Sequence, residues 1–147
     1  MGFVGAIKSF YGRYVDFKTR SSRSEFWWVA LFQVIVVVLL MIPVMGGVMS
    51  VVAELGPDPD PMALYGTLFS GPFGMLLGLF AVVNIIPGIA LGVRRIHDFD
   101  KSGWLYLVVV IGSLIPILGM LVSVGWIVVN CIRGTVGPNK FGDDPLG

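Results

Sequence analysis

His97 followed by Asp98 is the one place in this chain where an imidazole adjoins a carboxylate, and His97 is its sole histidine. Such a pair could move a proton, but catalysis also needs a nucleophile or metal and a third group to orient the base. The single cysteine, Cys131, has no CxxC or histidine company and reads as a small buried apolar residue. One histidine and one cysteine do not make a zinc site without further ligands. No catalytic residue, metal or cofactor is therefore expected. Arg94, Arg95 and Asp98 are better read as ionic partners for charges near the N-terminus, and the elements that carry them must explain how they meet.

Of 147 residues, 56% are hydrophobic and 13% charged, with net charge +1. A soluble domain is about 25% charged, and here the charges are clumped at 8–25, 54–60, 94–101 and 133–144. The three charge-free runs between them, Phe26–Ala53, Pro61–Val93 and Ser102–Ile132, hold 28, 33 and 31 residues. About 20 apolar residues cross a bilayer, so the pattern predicts an all-α, polytopic membrane domain over 1–147 and excludes an ordinary soluble protein. The clumps carry net charges of +3, −3, +1 and 0 in chain order. By the positive-inside rule the N-terminus and the 94–101 loop are expected in the cytoplasm, and the acidic 54–60 loop outside.

Along the chain, Phe3, Ile7, Phe10 and Tyr14 recur at helical steps, with Val4, Tyr11 and Val15 beside them. This predicts an amphipathic helix over 3–17 lying in the membrane interface; packing on its own protein is the alternative. Ser22-Arg23-Ser24-Glu25 has capping-box spacing and opens a span over 26–53, with Trp27 and Trp28 as its aromatic rim. Glu54 to Pro61 is a proline-rich turn. The second span is placed over 67–92, approached by 61–66 and kinked or interrupted at Pro72 and Pro87. Asp100 or Ser102 is expected to cap a helix starting at Trp104. The last run is either a short hairpin turning at Pro116–Gly119, with arms 103–115 and 117–132, or one long kinked helix. The hairpin makes four inserted helices and a cytoplasmic tail over 133–147; the single helix makes three full spans.

Three stretches carry a resemblance. Residues 14–28, YVDFKTRSSRSEFWW, resemble the N-terminal signature of the domain of unknown function 805 family of small bacterial inner-membrane proteins. Arg94-Arg-Ile-His-Asp98 with Ser102-Gly-Trp104 is similar to its central signature, and 134–145, GTVGPNKFGDDP, to its C-terminal one. Thr19 and Asp100 stand where the family often has glycine, and Leu105 replaces a frequent tryptophan. The resemblance implies membrane location and fold, and no activity. A hairpin would bring all three stretches to one face. Arg20, Arg23, Glu25, Arg94, Arg95, His97, Asp98, Lys140 and Asp144 are then expected in one cytoplasmic ionic cluster, with the tail folded beneath the 94–101 loop.

Within the spans no acid or base stands mid-run, which argues against an ion-coupled pump. Gln33 and Asn84 are read as interhelical hydrogen-bond partners. Gly66, Ser70, Gly74 and Gly78 recur every four residues, and Gly88 with Gly92 repeats the step, offering helix-packing faces at Gly74, Gly78, Gly88 and Gly92. Lys8, Arg13, Lys18, Arg20 and Arg23 beside the membrane suit anionic lipid headgroups; nucleic acid is not expected. The functional expectation is a non-catalytic accessory subunit or envelope scaffold, binding lipids and other subunits or itself. The alternative is an oligomeric small-solute or lipid transporter.

Overall fold

The computed structural model describes every residue except Pro57, Pro59 and Gly147, and leaves out the side chains of Thr67 and Ser70. The proline-rich turn thus falls partly outside the described residues. Among those described, the regular elements are all helices: α1 (Phe3–Gly12), α2 (Arg23–Leu55), α3 (Pro61–Ser70), α4 (Pro72–His97), α5 (Trp104–Ser113) and α6 (Pro116–Cys131). The chain divides into two units, Met1–Ala30 with Ile86–Gly147, and Leu31–Ile85.

The second unit holds most of α2, all of α3 and the first half of α4. At about 1.5 Å per residue, α2 is about 50 Å long and α4 about 39 Å, against a hydrocarbon core of about 30 Å. Both are apolar enough to cross a membrane, and only 11% of the apolar stretch of α2 and 28% of that of α4 is buried. A core helix of a soluble protein would bury most of it. α2 runs past its expected end to Leu55 and closes on Gly56, which sits in the left-handed region at φ +89 and so accepts the turn that ends a helix. Asp60 caps α3 by accepting from the Met62 N–H at 3.0 Å. The expected second span is therefore two helices, broken at Gly71 with Pro72 opening α4. Pro87, by contrast, lies inside an uninterrupted α4. Its missing hydrogen bond is a loss that long apolar helices tolerate. Asn84 donates to the Phe80 carbonyl of its own helix at 2.7 Å.

In the first unit α1 stops at Gly12, earlier than the periodicity suggested, because Gly12 is a poor helix former and Arg13 leaves the helical region. Ala6 and Phe10 are fully buried with Val29 of α2 and Leu91 of α4. This side of α1 thus packs on its own protein, while Val4 stays exposed. The indole N–H of Trp27 donates to the Asn130 carbonyl at 3.1 Å and that of Trp28 to the Met1 carbonyl at 3.1 Å. These bonds satisfy the polar edge of two half-exposed rings.

The last apolar run is two helices. α5 ends at Ser113, and α6 begins at Pro116 with Ile115 extended before it, the conformation proline imposes on its predecessor. Gly119 is inside α6 rather than in the turn. Proline at the first helical position gives up an N–H that would have no partner there. Tyr106 and Trp126 lie 5.2 Å apart near one end, and Gly112 faces Val122 nearer the turn, so the two helices pack antiparallel. At about 15 and 24 Å, neither reaches across a core of about 30 Å. Cys131, expected to be buried, is exposed at the last position of α6. α5 has Gly103 at its N-cap and no side-chain cap, so neither Asp100 nor Ser102 serves. Asp100 instead adopts φ +56 in the turn after α4, a conformation glycine takes freely and aspartate tolerates.

Of the packing glycines, Gly92 lies against the Tyr106 ring and Gly74 against the Leu68 carbonyl, with no room for a methyl at either. Gly78 and Gly88 meet nothing within 4 Å. We expect Gly92→Ala to lower stability in detergent by about 1–3 kcal/mol through overpacking. Gly88→Ala should leave it level or raise it by up to about 1 kcal/mol. Thermal unfolding of the two variants side by side checks this.

Candidate functional site

Local sequence puts opposite charges at two helix ends. Glu25 stands in the first turn of α2, where the helix dipole favours an acid. Arg94, Arg95 and His97 stand in the last turn of α4, where it favours bases. Both ends lie in the first unit with α1 and the tail, and their charges sort into two nests.

In the first nest the Glu25 carboxylate, 2% exposed, accepts from Arg13 at 2.6 and 2.7 Å and from the Ser9 hydroxyl at 2.9 Å. Arg94 is completely buried, and its guanidinium reaches Glu25 at 3.9 Å while making no hydrogen bond among the described residues. Only half of the predicted capping box is formed. The Ser22 hydroxyl accepts from the Glu25 N–H at 3.3 Å, but the Glu25 carboxylate turns to Ser9 and Arg13 instead of closing the box. A guanidinium that bonds both carboxylate oxygens, with the Ser9 hydroxyl beside it, outcompetes one backbone amide.

In the second nest Asp98, also buried, accepts from Arg20 at 3.0 and 3.2 Å and from Arg95. Arg20 continues into the tail, donating to the carbonyls of Thr135 and Gly137, each at 2.7 Å. The Thr135 N–H in turn donates to the Asp98 carbonyl at 2.8 Å. Arg95 donates to the carbonyls of Val129 and Ile132 at the end of α6. Gly134 allows this approach, because a methyl there would strike the Asp98 carboxylate. The nests join at Arg20, whose carbonyl accepts from Arg13 at 3.3 Å.

Thus Arg20, Glu25, Arg94, Arg95 and Asp98 are brought together. Lys140 and Asp144 are not part of that core. Lys140 reaches Asp100 at 3.8 Å, and Asp144 reaches Arg133 at 3.5 Å, in exposed pairs. Arg23 is exposed and makes no ion pair among the described residues. Sequence reasoning missed Arg13, Ser9 and Thr135 as members. Arg13 was legible as one of the bases before the first span, while the two hydroxyls carried no signal. Asp16 is held below the usual carboxylate range: partial burial pushes it up, and bonds from the Thr19 hydroxyl and the N–H groups of Lys18 and Thr19 outweigh that. Asp144 is likewise lowered, by the N–H groups of Leu146 and Gly137.

His97 and Asp98 do not form a dyad. His97 Nδ1 faces the Thr19 carbonyl at 3.2 Å, and the ring stacks on Phe141 at 3.7 Å between centroids. The Asp98 carboxylate is spent on the two arginines. The other edge of His97 borders a cavity of about 510 Å³ walled by Ile89 and Val93 of α4 and Leu107 and Val110 of α5.

The family described as "Protein of unknown function (DUF805)" matches residues 14–143, a range that contains the second nest and all of the first except Ser9 and Arg13. The chain belongs to the DUF805 family. Among curated DUF805 relatives, "Inner membrane protein YhaH" of Escherichia coli K12 is 32% identical, over 90% of this chain and 88% of its own length. "Inner membrane protein YhaI" of the same strain is 30% identical, over 90% and 87%. No solved structure matches this DUF805 chain.

Proposed function

We propose that this chain is a non-catalytic, multi-pass inner-membrane protein acting as an accessory subunit or envelope scaffold. Its N-terminus, ion-paired cluster and tail would face the cytoplasm. The observation that carries the reading is that the buried charges are engaged with one another, while Gly78, Gly88 and long apolar helix faces are left uncovered. Paired carboxylates and guanidinium groups offer a rigid platform and no activated nucleophile. The bare glycine faces and apolar helices offer surfaces to helices and lipid tails. The exposed bases Lys8, Lys18 and Arg23 offer about 1 kcal/mol each toward anionic headgroups. The inner-membrane naming of both relatives and the +3, −3, +1 charge sequence support the location and orientation.

Purification in a gentle detergent tests the role: foreign subunits in fixed stoichiometry are expected, and a clean homo-oligomer overturns it. A reporter at the C-terminus should read cytoplasmic; a periplasmic signal overturns the orientation. A second reading, an oligomeric small-solute or lipid transporter, is favoured by the cavity between α4 and α5. It requires a flux in proteoliposomes that Gly78→Leu alters.

A further inference from the structure

The cavity beside α5 is apolar along its length and polar at one end, where His97 stands. His97 is 5% exposed, and the placement of its two nitrogens decides what the cavity can hold. A carbonyl oxygen only accepts, so the nitrogen facing Thr19, Nδ1, carries the proton. In the neutral ring Nε2 is then a bare acceptor. It makes no hydrogen bond among the described residues, and it stands beside Gly103, where an added Cβ would come within 2.9 Å of it. Both residues border the cavity. Nε2 thus opens on the cavity as an acceptor, and a donor that meets it there has a defined place.

We propose that the cavity binds a single-chain lipid alcohol, with its acyl chain along α4 and α5 and its hydroxyl donating to Nε2 of His97. The walls fit the chain: Ile89, Val93, Leu107 and Val110 supply aliphatic surface, and the exposed Trp104 ring borders the cavity. A volume of about 510 Å³ falls in the range of about 300–1,000 Å³ typical of sites for one small ligand. The polar end selects the head. A carboxylate or phosphate brings acceptors to an acceptor, and a methyl ester brings no donor at all. A hydroxyl completes the bond, and Ser102 borders the cavity near the same end. Such an alcohol can be a monoacylglycerol of the bilayer or a simple long-chain alcohol. This inference concerns the occupant of one unit and does not depend on the accessory role.

The test uses the full chain in phosphatidylcholine vesicles and a diazirine-bearing monoacylglycerol as photolabel. Labelling should map to the peptides spanning 89–110. Unlabelled 1-monooleoylglycerol and oleyl alcohol should compete about tenfold better than methyl oleate, the effect of one buried hydrogen bond left unmade. A preference between the two alcohols assigns the glycerol or the simple alcohol as the natural head. His97→Gln keeps an acceptor and should keep the discrimination, whereas His97→Phe should abolish it. Val110→Trp fills the cavity from α5 without touching His97 and should remove labelling while the unfolding temperature is held. Equal competition by methyl oleate, labelling unaffected by Val110→Trp, or labelling confined outside 89–110 overturns the proposal.

Discussion

Replacing Asp98 by asparagine is expected to cost about 3–5 kcal/mol, the usual penalty for removing one partner of a buried ion pair. One carboxylate here serves two guanidinium groups, those of Arg20 and Arg95, whose side chains are 2% and 0% exposed. The amide keeps the shape and one acceptor oxygen but leaves both cations without a counter-charge. Total stabilities run about 5–15 kcal/mol, so the loss should be large in thermal unfolding in detergent. It should also loosen the tail, because Arg20 holds the Thr135 and Gly137 carbonyls beside Asp98, leaving the Thr135 bonds to the Asp98 carbonyl to hold it, and proteolysis after Arg133 should accelerate. Arg133→Gln is the contrast. Its pair with Asp144 is half exposed at the arginine, and such pairs contribute about 0–1 kcal/mol. A small effect for Asp98→Asn would mean that water already reaches the second nest.

Glu25→Gln is expected to be comparably damaging, about 3–5 kcal/mol, for a different reason. Arg13 is 30% exposed at its side chain and can turn to water. Arg94 cannot. Its guanidinium is fully buried, makes no hydrogen bond among the described residues, and has Glu25 as its ion-pair partner there. Glutamine keeps one acceptor oxygen for the donors Ser9 and Arg13, so the hold on α1 weakens and amide exchange there should rise along with the fall in unfolding temperature. Adding Arg94→Met to Glu25→Gln should recover part of the loss, since an apolar side chain of similar length has no charge to strand. Failure of the double variant to recover would place the damage in α1 rather than at Arg94.

The helical class and the approximate apolar segments were legible because membrane patterning is written in long charge-free runs. Helix ends were less so. Gly12 ended α1 early, a local backbone effect that a hydropathy pattern does not register, whereas the break of the second run at Gly71 was marked by Pro72. The last run could be read two ways from Pro116 alone, and its two-helix form emerges from Tyr106 and Gly112 packing on Trp126 and Val122. For the site, charge type and position were enough to gather Arg20, Glu25, Arg94, Arg95 and Asp98. They were not enough to divide them, because which acid takes which base is decided by burial and reach. His97 was singled out for its neighbour Asp98, yet its bond runs to a backbone carbonyl, a partner with no sequence signature. The aspartate at 100, a departure from the resembling family, is accommodated by a left-handed turn suited to glycine.

The separation of 117 residues between Arg20 and Gly137 has a consequence for biosynthesis. Segments 9–25, 94–98 and 133–144 emerge from the ribosome in that order, and the second nest needs a piece of each. Contacts so distant in sequence form late, after the intervening chain has been ordered. Until residues 133–137 emerge, Arg20 can pair with Asp98 but lacks the Thr135 and Gly137 carbonyls, so α4 is expected to insert before its charged end is sealed. The tail would then act as a latch closed last. A nascent chain halted before Thr135 should remain open to protease at the α4–α5 turn, and a short further extension should protect it.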